Sequence, residues 1–170
     1  VARRARVFDM EVLAIRRAAE QPDPHGVGRV RGPDAFDDVV ARSDYLAITL
    51  PLTPQTRGLV GEKQLRSMKP TAIVINVARA QIVDEDALYA ALAGRRIGGA
   101  ALDVWYRYPT ASGATLPARQ PFHELPNVLV TPHVSGWTDG MLEARATVIA
   151  ENICRTARGE PPLNLIASRV

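Results

Sequence analysis

Short apolar runs that alternate with helical patterns constrain this chain more than any other feature. The runs Tyr45–Leu50, Ala72–Val77, Gly99–Val104 and Asn127–Thr131 are rich in Val, Ile, Leu and Ala, and Glu11–Ile15 is a fifth candidate. Runs that are apolar throughout, rather than at every second residue, suit strands covered on both faces, as in a parallel sheet. Helix signals stand between them. Pro33-Asp34 starts a helix carrying Phe36, Val39 and Val40, and Gly61 opens another that ends at Met68, before Pro70. Asp84-Glu85-Asp86 precedes Ala87, Leu88, Ala91 and Leu92, with Gly94 and Arg95-Arg96 at the far end. Acids first and bases last complement a helix dipole, so this acidic cluster reads as helix-start chemistry and not as a catalytic carboxylate pair. A last helix runs from Thr138, as N-cap, to Arg158, where Gly159 and Pro161-Pro162 stop it. The order of elements predicts an α/β chain whose parallel sheet is flanked by helices.

The 170 residues suffice for about one domain with a core of its own. At 46% hydrophobic and 23% charged residues, the chain is neither a disordered tail nor a coiled coil. Its net charge of +3 rests almost wholly on arginine, Lys63 and Lys69 being the lysines. Any basic feature lies in residues 1–31, where seven arginines face Asp9, Glu11, Glu20 and Asp23. Aromatic residues make up 5% and the charges are interspersed, which argues against a nucleic-acid surface. Cys154 stands alone, so no internal disulfide framework is expected, and no run approaches the ~20 apolar residues of a membrane span. The basic start Val1–Arg6 lacks the apolar region of a signal peptide, and a cytoplasmic chain is expected. His25, His123, His133 and Cys154 show no ligand spacing, so no metal is expected. Tyr106–Pro121 is a long loop, of a length that in compact domains is often functional.

In an open parallel sheet, ligands bind beyond the carboxyl ends of the strands. The residues following each run are Arg16-Arg17, Pro51-Leu52-Thr53, Asn76-Val77-Ala78-Arg79, Asp103 and Pro132-His133. An arginine, an aspartate and a histidine from three strands thus converge on one edge. Arg79 carries a permanent planar charge that pairs bidentately with a carboxylate. Histidine is the side-chain type that changes charge near neutral pH, so His133 suits transfer of a hydroxyl proton. These residue types serve hydride transfer to or from a hydroxy acid. Taken alone, Arg79 also reads as a surface ion-pair partner, Asp103 as a turn cap, and Trp105 and Trp137 as packing residues or as a shield against water.

The runs Pro51-Leu52-Thr53-Pro54-Gln55-Thr56, Met68-Lys69-Pro70, Ile75-Asn76-Val77-Ala78-Arg79, Val83-Asp84-Glu85-Asp86-Ala87-Leu88, Ala100-Ala101-Leu102-Asp103-Val104 and Leu125-Pro126-Asn127-Val128-Leu129-Val130-Thr131-Pro132-His133 together resemble the D-isomer-specific 2-hydroxyacid dehydrogenases. The resemblance implies a Rossmann-type fold, a nicotinamide cofactor and a 2-hydroxy or 2-oxo acid as substrate. It implies Arg79 as carboxylate anchor, His133 as acid/base and Asp103 beside the nicotinamide amide. Pro51, Val77 and Ala78 would line the cofactor, and Ser135 and Gly136 would let backbone approach it. A homodimer is implied as well. The tail Gly159-Glu160-Pro161-Pro162-Leu163-Asn164 looks like the family's return toward a second, substrate domain, which gives a reading of 1–158 as a partial nucleotide-binding domain and 159–170 as that tail.

Three departures shape the expectation. The family's first strand and glycine-rich phosphate loop precede the run at Glu11, and no match to them stands in this sequence. Gly26-Val27-Gly28 is a decoy, since Arg31 occupies the place where the fingerprint needs its last glycine. Val1–Arg6 reads as the end of the helix that follows the true loop. Second, Arg16 stands where the family places an acid for the adenine ribose hydroxyls. With Arg17 it would accommodate a 2′-phosphate, so NADP is favoured over NAD, unless the two are simply solvated arginines at a strand end. Third, Tyr108 precedes Pro109 where the family has the glutamate partner of its histidine. A neutral phenol can hold an imidazole but brings no charge to it, and Glu124 is a possible spatial substitute. Tyr108 therefore joins Arg79 and His133 as a catalytic candidate. The expected function is part of an NAD(P)-dependent oxidoreductase, with no turnover expected from the isolated chain. The alternative is a noncatalytic nucleotide-binding or dimerisation module.

Overall fold

The computed structural model describes residues 1–17, 29–111, 113 and 115–165. In chain order the elements are α1 (Ala2–Val7), β1 (Leu13–Ile15), β2 (Arg29–Arg31), α2 (Phe36–Arg42), β3 (Tyr45–Ile48), α3 (Glu62–Ser67), β4 (Ile73–Asn76), α4 (Glu85–Ala93), β5 (Gly99–Leu102), β6 (Val128–Val130) and α5 (Met141–Ala157). Single 3-10 turns stand at Pro33–Ala35, Ala80–Ile82 and Phe122–Glu124. The chain divides into two compact units, Val1–His133 and Val134–Val170.

All strand pairs are parallel. The first unit holds a four-stranded sheet in the order β3-β4-β5-β6 and a two-stranded sheet of β1 and β2. Every expected strand forms, each somewhat shorter than its apolar run. β3 stops at Ile48 and not at Leu50, ahead of Pro51, which has no N–H to give a ladder. β4 stops at Asn76, whose side chain bonds the turn instead. β2 was not foreseen: its Arg-Val-Arg sequence has no apolar run, and only Val30 is partly buried. Gly99 begins β5 because a Cβ there would stand 2.6 Å from the carbonyl oxygen of Asn127, where the β6 segment enters the sheet.

The core lies between this sheet and its helices. Val40 of α2, Leu65 of α3, Leu88 and Leu92 of α4, Val74 of β4 and Phe122 are all buried in one cluster. Asp84 caps α4 through its side chain, which accepts the Ala87 N–H (2.8 Å), as expected. Gln64 turns back on α3 and accepts the Gly61 N–H (3.2 Å).

In the second unit α5 begins three residues after the expected start. Gly140, in the left-handed region at φ +77°, is its N-cap, and Thr138 offers its backbone carbonyl to the Met141 N–H rather than a side-chain cap. None of its residues is buried. Among the described residues no helix is long and apolar enough to cross a membrane, and no group of three or more His, Cys, Asp or Glu could hold a metal ion.

Candidate active site

A parallel sheet delivers the end of every strand to one edge, so the turns after β3, β4, β5 and β6 stand in order, neighbouring strands being about 5 Å apart. Beyond β3 and β4 lies an open cleft of about 590 Å³, lined by residues 49–52 and 77–79. Pro51, Val77 and Ala78 give it an apolar wall, and Arg79 gives it a charge.

Buried Asn76 fixes the turn that carries Arg79. Its side-chain NH2 donates to the Arg79 carbonyl (3.1 Å) and its Oδ1 accepts the Ala78 N–H (3.1 Å). The Arg79 guanidinium is exposed and donates one bond to the Ala78 carbonyl (2.6 Å). On the next strand, Asp103 is buried. Its N–H donates to the Asn76 carbonyl (3.1 Å), and its carboxylate accepts the Thr131 hydroxyl (2.6 Å).

β6 ends in Pro132-His133. His133 is exposed and holds φ at +60°, a region that non-glycine residues enter seldom and histidine more readily than most. Strained backbone of this kind persists only where its surroundings fix it. Here Nδ1 lies 2.8 Å from the Tyr108 hydroxyl, with the rings 5.6 Å apart and tilted by 46°. The same hydroxyl accepts the backbone N–H of Trp105 (3.2 Å), while the Trp105 indole donates to the Thr131 carbonyl (2.9 Å). Trp105 thus ties the end of β5 to the end of β6. Glu124 stands in the 3-10 turn Phe122–Glu124 with His123, 3.9 Å from its Nε2, so the partner of the His133 ring is Tyr108.

The loop bearing Tyr108 is pinned at both ends. Tyr106 stacks on Phe122 and donates its hydroxyl to the Val83 carbonyl (3.0 Å). Burial pushes its phenol well up, and the carboxylates of Glu85, Asp84 and Asp86 add to this. At the other end, buried Glu85 accepts the backbone N–H groups of Arg119 and Gln120. The hydrogen bond to Glu85, and then the charge of Asp86, push the Arg119 guanidinium further up. Gln120 and Arg119 in turn hold the Asp86 carboxyl below its ordinary range.

Arg16 follows β1 and is partly buried, its N–H donating to the Arg31 carbonyl (3.1 Å), while Arg17 is exposed. Ser135 and Gly136 are exposed residues of the second unit, inside a turn closed by the Trp137 N–H on the Val134 carbonyl (2.9 Å). His25 and the Gly26–Gly28 stretch lie outside the described residues, as do residues 166–170 of the tail. Sequence reasoning missed Asn76, Thr131 and Glu85. Asn76 had a signal, as a turn-forming amide closing an apolar run. Glu85 had none, because its partners lie more than thirty positions away.

Residues 1–135 match the family model described as D-isomer specific 2-hydroxyacid dehydrogenase, NAD binding domain. The chain belongs to the D-isomer specific 2-hydroxyacid dehydrogenases. Over all 170 residues it is 35% identical to a glyoxylate reductase of Pyrococcus furiosus, of which it covers 48%. A crystal structure of a D-isomer specific 2-hydroxyacid dehydrogenase from Xanthobacter autotrophicus Py2 in complex with NADPH and MES matches at 35% identity and a TM-score of 0.78, across 99% of this chain and 65% of that one. D-lactate dehydrogenase with NAD+ from Lactobacillus jensenii matches at 27% identity and a TM-score of 0.81, across 98% of this chain and 51% of that one. The chain spans about half the length of the curated relatives it first matches. Its strand-end cleft fits a nicotinamide group: the volume is within the usual ~300–1,000 Å³ of ligand sites, one wall is apolar, and the buried Asp103 carboxylate stands on the strand beside it.

Proposed function

We propose that this chain is the nucleotide-binding part of an oxidoreductase that acts between NAD(P) and a 2-hydroxy or 2-oxo acid. The observation that carries this reading is the Tyr108–His133 hydrogen bond at the end of β6, two strands, or roughly 10 Å, from the turn that presents Arg79. The bound nicotinamide supplies or accepts the hydride. Arg79 clamps the substrate carboxylate, its fork matching the two oxygens and fixing the substrate's orientation. His133 exchanges a proton with the substrate oxygen, and Tyr108 holds the imidazole ring in place. Pro51, Val77 and Ala78 would form the wall against the cofactor, and Asp103 would accept from its amide.

Arg16 and Arg17 are proposed to meet a 2′-phosphate, which favours NADP. Residues 1–158 form the cofactor-binding part in this reading, and 159–170 lead toward a substrate domain. A cytoplasmic homodimer is part of the same proposal. The test is a titration of the chain with NADPH and NADH, followed by Trp105 and Trp137 fluorescence together with a thermal shift. NADPH is expected to bind more tightly. Arg16→Asp is expected to weaken NADPH by about tenfold or more, the loss of one charge-assisted phosphate contact, and to strengthen NADH, whose ribose hydroxyls the new carboxylate can accept from. Binding of neither nucleotide at millimolar concentration would overturn the cofactor reading.

A further inference from the structure

The hydrogen bonds around Tyr108 determine which nitrogen of His133 carries hydrogen. A phenol has one hydrogen to donate and lone pairs to accept with, whereas a backbone N–H can only donate. The Trp105 N–H points at the Tyr108 oxygen from 3.2 Å, so one acceptor site of that oxygen is taken. Its hydrogen is free for the other near neighbour, His133 Nδ1, at 2.8 Å. Donating there uses both the hydrogen and a lone pair of the phenol within this cluster, whereas accepting from Nδ1–H as well would leave the phenol hydrogen to solvent. In a neutral imidazole one nitrogen donates and the other accepts, and the bond made by one sets the state of the other.

The structure assigns Tyr108 as the donor to Nδ1, which places the hydrogen of neutral His133 on Nε2. A carboxylate at position 108 would do the reverse, accepting from Nδ1–H and leaving Nε2 as a lone pair ready to take a proton. With tyrosine, the resting ring presents an N–H at Nε2. It is therefore set to donate a hydrogen bond to the carbonyl oxygen of a 2-oxo acid. To accept the proton of a 2-hydroxy acid at Nε2, the ring must first carry its hydrogen on Nδ1, and the phenol O–H must rotate away. Tyr108 is in this sense a positioning residue that acts through His133, and Trp105 orients it through its backbone. The meaning for substrate choice rests on the proposed role of His133, while the tautomer itself does not.

Nitrogen-15 NMR of histidine-labelled chain, at a pH where the ring is neutral, reads the tautomer directly from the shifts of Nδ1 and Nε2. In the wild type, Nδ1 is expected at the acceptor position and Nε2 at the N–H position. Tyr108→Phe removes the donor and should move both signals toward each other, as the ring returns to a mixture. Tyr108→Glu should exchange the two positions. All three side chains occupy an exposed site, and retention of the backbone amide pattern checks the fold. Hydrogen on Nδ1 in the wild type, or identical shifts in wild type and Tyr108→Phe, would sink the inference. A longer protein that failed to turn over any 2-oxo acid while showing the expected shifts would overturn the functional reading and leave the tautomer standing.

Discussion

The two sheets of the first unit are built on different foundations. At β4 and β5, the turns that carry Arg79 and Asp103 grow from strands with buried Val74, Asn76, Ala100 and Leu102 and are held by buried or half-buried hydrogen bonds, whereas β6, which leads to His133, has no fully buried residue. At β1, Arg16 and Arg17 follow a strand in which every residue is only partly buried, paired with a β2 that contributes Val30 alone. Its surroundings are exposed ion pairs, Glu11 with Arg29 and Arg42, and Arg31 with Asp38. Such pairs contribute about 0–1 kcal/mol each. The turns of Arg79 and Asp103 therefore rest on the better-buried sheet, while the phosphate recognition proposed for Arg16 and Arg17, which charge alone can achieve, would rest on the more solvated one.

The largest expected effect tests this contrast directly. Phe122 is buried, meets Tyr89 edge-on and Tyr106 face-on, and anchors the loop that brings Tyr108 to His133. Phe122→Ala should cost about 3–5 kcal/mol of stability, whereas Val30→Ala, at a half-buried site, should cost about 1 kcal/mol. Urea unfolding measures both, and equal losses would remove the contrast. The next effect is smaller and more local. Asn76→Ala strips the Ala78 N–H of its buried acceptor, which should cost about 2 kcal/mol and speed hydrogen exchange at the Ala78 amide. Unchanged exchange there would show that the turn bearing Arg79 is held by something other than Asn76.

The same contrast explains what the sequence made legible. The four-stranded sheet could be read because its strands lie in unbroken apolar runs such as Ala72–Val77, although only β4 and β5 are buried or half-buried at every position, β3 alternating exposed and buried residues and β6 exposing Leu129. The two-stranded sheet could be read only by half, because Arg-Val-Arg in this more solvated sheet needs one apolar residue and leaves no pattern. The candidate residues Arg79, Asp103 and His133 were visible as strand-end residues, and Tyr108 only as a departure from the family's pattern. Their support was not, since Thr131 reaches Asp103 and Glu85 reaches Arg119 across 28 and 34 positions. Long-range partners of that kind are set by which strands become neighbours, and local propensity carries no record of them.

The smallest expected effect compares two exposed carboxylates on different helices. Asp86 of α4 is held below the ordinary aspartate range first by the Gln120 amide and then by Arg119. Asp37 of α2 is held down first by Lys63 and then by Gln64. Because both carboxyls titrate lower in the fold than in the unfolded chain, each adds stability that is complete above the ordinary aspartate range. That contribution fades as the pH falls through the lowered value. The unfolding midpoint should therefore decline on the acid side, and Asp86→Asn or Asp37→Asn should each make the decline shallower. Salt separates the two. Lys63 holds Asp37 first through a charge-assisted hydrogen bond within an exposed ion pair, which added ions weaken, whereas a neutral amide leads at Asp86. Raising ionic strength should thus flatten the part of the slope that Asp37→Asn removes more than the part that Asp86→Asn removes. If salt reduced both alike, Arg119, rather than Gln120, would be the group that governs Asp86.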